Sequence, residues 1–147
     1  MKVSIGSDHG GIELKQALVE SLKAQGVEVH DVGTQGTKSV DYPDYAVKVG
    51  KSVASAQADF GVLVCTTGIG MSISANKVKG VRAAMIFNED SAKYSRLHND
   101  ANVICMGARY ETSETVKKLV DIFIKTEFEG GRHSKRVDKI KQEEQNL

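Results

Sequence analysis

Cysteine and proline are scarce in this chain, long apolar runs are missing, and neither sign of charge prevails. The two cysteines, Cys65 and Cys105, cannot build a disulfide framework, and no CxxC pair occurs. The four histidines, His9, His30, His98 and His133, are scattered, so no metal site follows from Cys/His spacing. Pro43 is the only proline and no low-complexity segment appears, which argues against extended disorder. No stretch approaches the ~18 apolar residues of a membrane span. Met1 to Ile5 runs straight into a strand-like pattern with no signal-peptide core. A cytoplasmic location with reduced thiols is expected. Lys plus Arg number 20 and Asp plus Glu 19, a net charge of +1. Nucleic-acid binders carry a basic excess, so neither a nucleic acid nor a membrane is an expected partner.

What is present reads as one globular domain, residues 1–147, with 40% hydrophobic and 27% charged residues. The pattern alternates between strand and helix. Val3-Ser4-Ile5 is a short apolar run ending at Gly6. Leu14, Ala17, Leu18 and Leu22 recur at helical spacing within Ile12 to Gln25, and Gly26 stops that helix. Val27 to Val32 alternates as a strand. Pro43 stands where a helix can begin, with Ala46, Val49, Val53 and Ala56 following. Phe60 to Cys65 is continuously apolar, as in a strand covered on both faces. A Gly-rich turn leads to a helix over about Ile69–Val78. Strands at Val81–Ile86 and Asn102–Met106 flank a helix at Glu89–Leu97. Val116, Leu119, Val120, Phe123 and Ile124 mark another helix, and a charged helix is expected over about 133–145. This alternation predicts an α/β fold with an open parallel sheet and helices on both faces. Ligands of such sheets bind beyond the carboxyl ends of the strands.

Three familiar motifs fail. Gly50-Lys51-Ser52 lacks the first P-loop glycine, because Tyr45 stands there. Gly68-Ile69-Gly70-Met71-Ser72-Ile73 lacks the third small residue of a dinucleotide fingerprint. Cys65 lacks a phosphatase arginine, since Met71 holds that place. Other residues carry chemistry. Cys65 ends a strand before the loop Thr66-Thr67-Gly68-Ile69-Gly70, whose backbone N–H groups suit a thiolate or an oxyanion. The plainer alternative is a structural Cys followed by a Thr N-cap. Asp8 and His9 follow the first strand before Gly10-Gly11, where Asp8 alternatively caps the next helix. His98-Asn99-Asp100 is a second polar turn, or simply a helix end with a favourable His. Arg132 and Arg136 share a helical face that can grip a phosphate, or simply face water beside Lys135 and Lys139. Arg109 is a third cation, and Cys105 reads as core. Together they suit a cofactor-free proton transfer beside a carbonyl on a small phosphorylated substrate.

Six segments then resemble ribose-5-phosphate isomerase type B and the related galactose-6-phosphate and allose-6-phosphate isomerases. They are Gly6 to Gly11, Asp41 to Tyr45, Gly68 to Lys77, Gly80 to Ala84, His98 to Asn102, and Gly130 to His133. The likeness runs from Lys2 to about Ile140. It implies a Rossmann-like five-stranded parallel sheet and a homodimer or homotetramer with shared sites. It implies interconversion of D-ribose 5-phosphate and D-ribulose 5-phosphate through a cis-enediolate, in the pentose phosphate pathway, with no metal or cofactor. By resemblance Cys65 is the base, Thr67 its hydroxyl helper, and the amides of Gly68, Ile69 and Gly70 the anion hole. Asp8 and His98 open the furanose ring, and Tyr42 and Asn99 contact the sugar. His9, Arg109, Arg132 and Arg136 bind phosphate. The chain departs from the family at Thr66, where glycine usually follows the Cys. A Cβ there is strained if the backbone needs a positive φ. The rival readings are a six-carbon sugar-phosphate isomerase and a non-catalytic sugar-phosphate-binding domain.

Overall fold

A computed structural model describes residues 1–147. Five strands form one all-parallel sheet: β1 (Lys2–Ser7), β2 (Glu28–Asp31), β3 (Phe60–Cys65), β4 (Ala83–Met85) and β5 (Val103–Gly107). Their spatial order is β2-β1-β3-β5-β4. Six helices complete the fold: α1 (Ile12–Ala24), α2 (Tyr42–Ala54), α3 (Ile69–Ala75), α4 (Glu89–Leu97), α5 (Ser113–Lys125) and α6 (Arg132–Gln145). None is long and apolar enough to cross a membrane.

The central strands are apolar on both sides because both sides are covered. Val62 and Val64 of β3, with Ile104 and Met106 of β5, pack against α1, α4 and α5 through Leu18, Leu22, Ala92, Val120 and Phe123. Leu63 and Cys65, with Val103 and Cys105, face α2 and α3 through Ala46, Val49, Met71 and Ala75. The strand period of two therefore aims Cys65 at the α2–α3 side. Cys105 lies wholly inside that layer, and burial pushes its thiol well up. It is a core residue, as expected.

The expected elements all form, with shifted ends. Helix α3 stops at Ala75 rather than Val78, and β4 spans Ala83–Met85 rather than Val81–Ile86. Asn76 bridges the point where α3 ends and β4 begins. Its side chain donates to Ala83 O at 2.9 Å and accepts from Ala83 N at 2.8 Å. It thus pins the turn between the two elements, and apolar periodicity does not register such a bond.

A second clamp shapes the turn after α4. Arg96 is buried over the Phe60 and Phe123 rings, 5.0 and 5.7 Å from their centroids. It donates to Asp100 Oδ1 at 2.8 Å and to Ala101 O at 2.6 Å. Arg82 donates to Asp100 O at 2.8 Å. These bonds hold Asp100 in the left-handed region, at φ +46, which Asp tolerates better than most residues.

Candidate active site

The carboxyl edge of β3 opens into a cleft of about 460 Å³ lined by Asp8, Tyr42, Cys65, Thr66, Thr67, Ile69, Gly70 and Ile73. Cys65 pairs with Gly107 at the sheet's end, and its Sγ accepts the Gly68 N–H at 3.0 Å. Gly68 is the N-cap of α3 at φ +78, so the chain turns sharply enough to aim that N–H at the sulfur. The Thr67 hydroxyl oxygen accepts from Ile69 N at 3.3 Å. Thr67 is not the N-cap, and the plainer reading of a Thr-capped helix does not apply.

Asp8 is buried and lies just beyond β1. Its Oδ1 accepts from Gly10 N at 2.9 Å. Gly11 caps α1 without a side-chain bond, so the helix-cap alternative for Asp8 fails as well. The other Asp8 oxygen is free to face the cleft. His9 is exposed, with Nδ1 accepting from Val40 N at 3.2 Å. Arg109 is anchored to the same loop by its backbone N–H, 2.9 Å from Thr66 O.

Two glycines let the walls approach. A Cβ on Gly70 would stand 2.5 Å from Tyr42 Cζ, and one on Gly107 would stand 2.6 Å from the Thr67 carbonyl carbon. Thr66 is exposed and its φ is not positive, so the departure from glycine brings no backbone strain. Its Oγ1 packs where a Gly10 side chain would begin.

The remaining candidates sit elsewhere. His98 caps the C-terminus of α4, and the 98–102 turn leads into the start of β5. Cys65 is beside the end of that strand. At about 3.3 Å per residue, the five residues of β5 separate the two by on the order of 15 Å. Helix α6 joins His98 at this amino edge. Glu144 accepts from Gly80 N at 2.7 Å, before β4, and Glu129 N donates to Leu97 O at 3.1 Å. Arg132, Lys135, Arg136 and Lys139 line an open groove here. One chain thus brings Asp8, His9, Tyr42, Cys65, Thr67, Gly68, Ile69, Gly70 and Arg109 to one edge, and His98, Asn99, Arg132 and Arg136 to the other. Within one chain the candidate residues therefore form two groups.

Sequence reasoning did not single out Glu129 or His133 as site residues. The His133 ring stacks on His98, with centroids 4.0 Å apart and planes 14° apart. Glu129 Oε2 lies 3.8 Å from His98 Nε2 and 3.7 Å from His133 Nε2. The four-residue spacing of Glu129 and His133, astride Gly130-Gly131, was the available signal. These donor atoms lie within 4.8 Å of one another. Each imidazole lone pair lies in its own ring plane, however, and stacked planes do not converge on one ion.

Residues 3–140 match the model of the Ribose/Galactose Isomerase family. This chain belongs to that family. Ribose-5-phosphate isomerase B of Escherichia coli is 45% identical, covering 95% of this chain and 93% of that protein. The structure of Clostridium thermocellum ribose-5-phosphate isomerase B superposes with a TM-score of 0.97 at 49% identity, covering 99% of each chain. That of the Mycoplasma genitalium enzyme with bound ribulose 5-phosphate superposes at 0.96, with 42% identity, covering 99% of this chain and 97% of that one. The fold of this chain is therefore shared with both of those structures over nearly its whole length.

Proposed function

We propose that this chain, as a single isomerase domain over 1–147, interconverts D-ribose 5-phosphate and D-ribulose 5-phosphate through a cis-enediolate. The supporting observation is the Cys65 sulfur, seated at the floor of the cleft with the Gly68 N–H on it. The reaction asks for a base, an anion hole and a ring-opening acid. Cys65 as thiolate takes the C2 proton and returns it to C1. The Thr67 hydroxyl and the amides of Gly68, Ile69 and Gly70 steady the enediolate oxygens. Asp8 and His98 open the furanose, Tyr42 and Asn99 hold sugar hydroxyls, and His9, Arg109, Arg132 and Arg136 grip the phosphate. Phosphate binding far from C1 and C2 positions the reacting carbons.

Because the two groups of residues lie at opposite sheet edges, a complete site needs a second copy of the chain. A two-fold pair presents the amino edge of one protomer to the cleft of the other. Its place of action is the cytoplasm, where both free thiols stay reduced.

The test is an isomerisation assay with EDTA present, using ribose 5-phosphate, allose 6-phosphate and galactose 6-phosphate in parallel. Turnover of ribose 5-phosphate that vanishes in Cys65→Ala supports both reaction and base. Preference for a six-carbon sugar overturns the substrate and keeps the chemistry. Binding without turnover on all three overturns the isomerase reading.

A further inference from the structure

We infer that Glu129 and His133 are positioning residues that hold a proton on His98, the form in which it opens the sugar ring. The inference rests on the ring-opening role proposed above for His98. Both imidazoles approach one carboxylate oxygen, at 3.8 and 3.7 Å, and stack 4.0 Å apart. Two imidazolium ions at that separation repel, so the trio carries at most one imidazolium. Its place is decided by surroundings. The His133 side chain is 6% exposed and its Nε2 has no hydrogen-bond partner, whereas that of His98 is 36% exposed. Burial, then His98, Arg132 and Arg136, hold His133 below the ordinary histidine range despite Glu129. His133 is therefore the ring that stays neutral, which leaves the Glu129 carboxylate to His98.

The groups packed around the His98–His133 pair come from α4, from α6 and from the turns beside them. From α4 the Tyr94 ring lies 4.8 Å away and carries no charge at neutral pH. From α6 comes His133, with Arg132 and Arg136 acting on that ring, and before α6 comes Glu129. Asp100 in the same turn is already paired with Arg82 and Arg96. Glu129 is thus the free anion that favours the imidazolium. In ring opening the C1–O4 bond breaks and O4 takes the His98 proton. The C1 hydroxyl gives its proton to Asp8, leaving the aldehyde. An imidazolium is required at the first moment.

The deciding experiment separates ring opening from enediolate chemistry. In ribulose 5-phosphate the hydroxyl that would close a furanose is esterified, so this ketose is open-chain. Exchange of its C1 proton with heavy water, followed by NMR, needs Cys65 but no ring-opening acid. Glu129 is exposed at the surface, so Glu129→Gln should fold. It is expected to lower kcat on ribose 5-phosphate at pH 8 by about tenfold. Loss of the carboxylate should move the basic limb of that pH profile down by about one unit. Ribulose exchange should stay within about twofold, and Glu129→Asp should restore the limb. An unmoved pH profile, or equal loss in both reactions, overturns the inference. His98→Asn is the control for the reading beneath it. If that variant still isomerises ribose 5-phosphate normally, the ring-opening role fails and this inference with it. If it loses isomerisation and keeps exchange while Glu129→Gln behaves as wild type, only this inference fails.

Discussion

Thr66 stands where the resemblance implies glycine, and its backbone does not need one. With no positive φ to relieve, Thr66→Gly changes only a side chain at the rim of the cleft. The expected kcat/KM for ribose 5-phosphate stays within about tenfold of wild type, roughly 1.4 kcal/mol. A larger loss would put the Thr66 hydroxyl in the chemistry. Two neighbouring glycines behave differently from each other. In Gly70→Ala the new methyl meets the Tyr42 ring, which is 40% exposed and can swing away. That variant should melt near the wild type and show a raised KM. In Gly107→Ala the methyl meets the Thr67 main chain under the cleft, which has no such freedom. Overpacking there should cost about 1–3 kcal/mol in urea unfolding and depress kcat as well. None of these contacts was legible in the sequence, because a glycine's neighbours are set by strands far apart in the chain.

At the level of elements, α1 and β2 are joined by an ion pair that sequence patterning gave no sign of. Lys15 sits on the inner face of α1 with its side chain wholly buried, and its Nζ donates to Asp31 Oδ2 at 2.6 Å. Burial alone would raise the Asp31 carboxyl. The Lys15 hydrogen bond, the Gly33 N–H, Gln35 and the Lys15 charge outweigh it and hold that carboxyl below its ordinary value. The pair therefore contributes stability above about pH 4, lost as pH falls through the depressed value. Asp31→Asn strands a buried ammonium and should cost roughly 3 kcal/mol by urea unfolding at pH 7. Lys15→Met leaves a carboxylate with a path to water and should cost less. Equal losses would show that the ammonium finds another partner. Strand β3 and helix α4 were readable to the residue; one is an unbroken apolar run, and the structure fixes the start of the other with the Asn88 capping box. The ends of α3 and β4 were not, because apolar periodicity does not register the Asn76 side chain that bridges them.

For the whole molecule, motifs supplied the candidate residues, and the parallel sheet divides them between its two edges. Chain order shows the division once the sheet is parallel, because His98 precedes β5 and Arg109 follows it, at opposite ends of the strand. A mixing experiment reads the division directly. Cys65→Ala and His98→Asn protomers, each inactive alone, should regain about a quarter of wild-type activity when unfolded together and reassembled in equal amounts. Half the pairs are then mixed, and each mixed pair assembles one intact site. No recovery would mean that each chain completes its own site. The same separation across β5 has a genetic face. A chain carrying both substitutions would supply a defective cleft and a defective edge, and would silence both sites of any wild-type partner it captured. One altered copy of the gene would then act dominantly over a normal one.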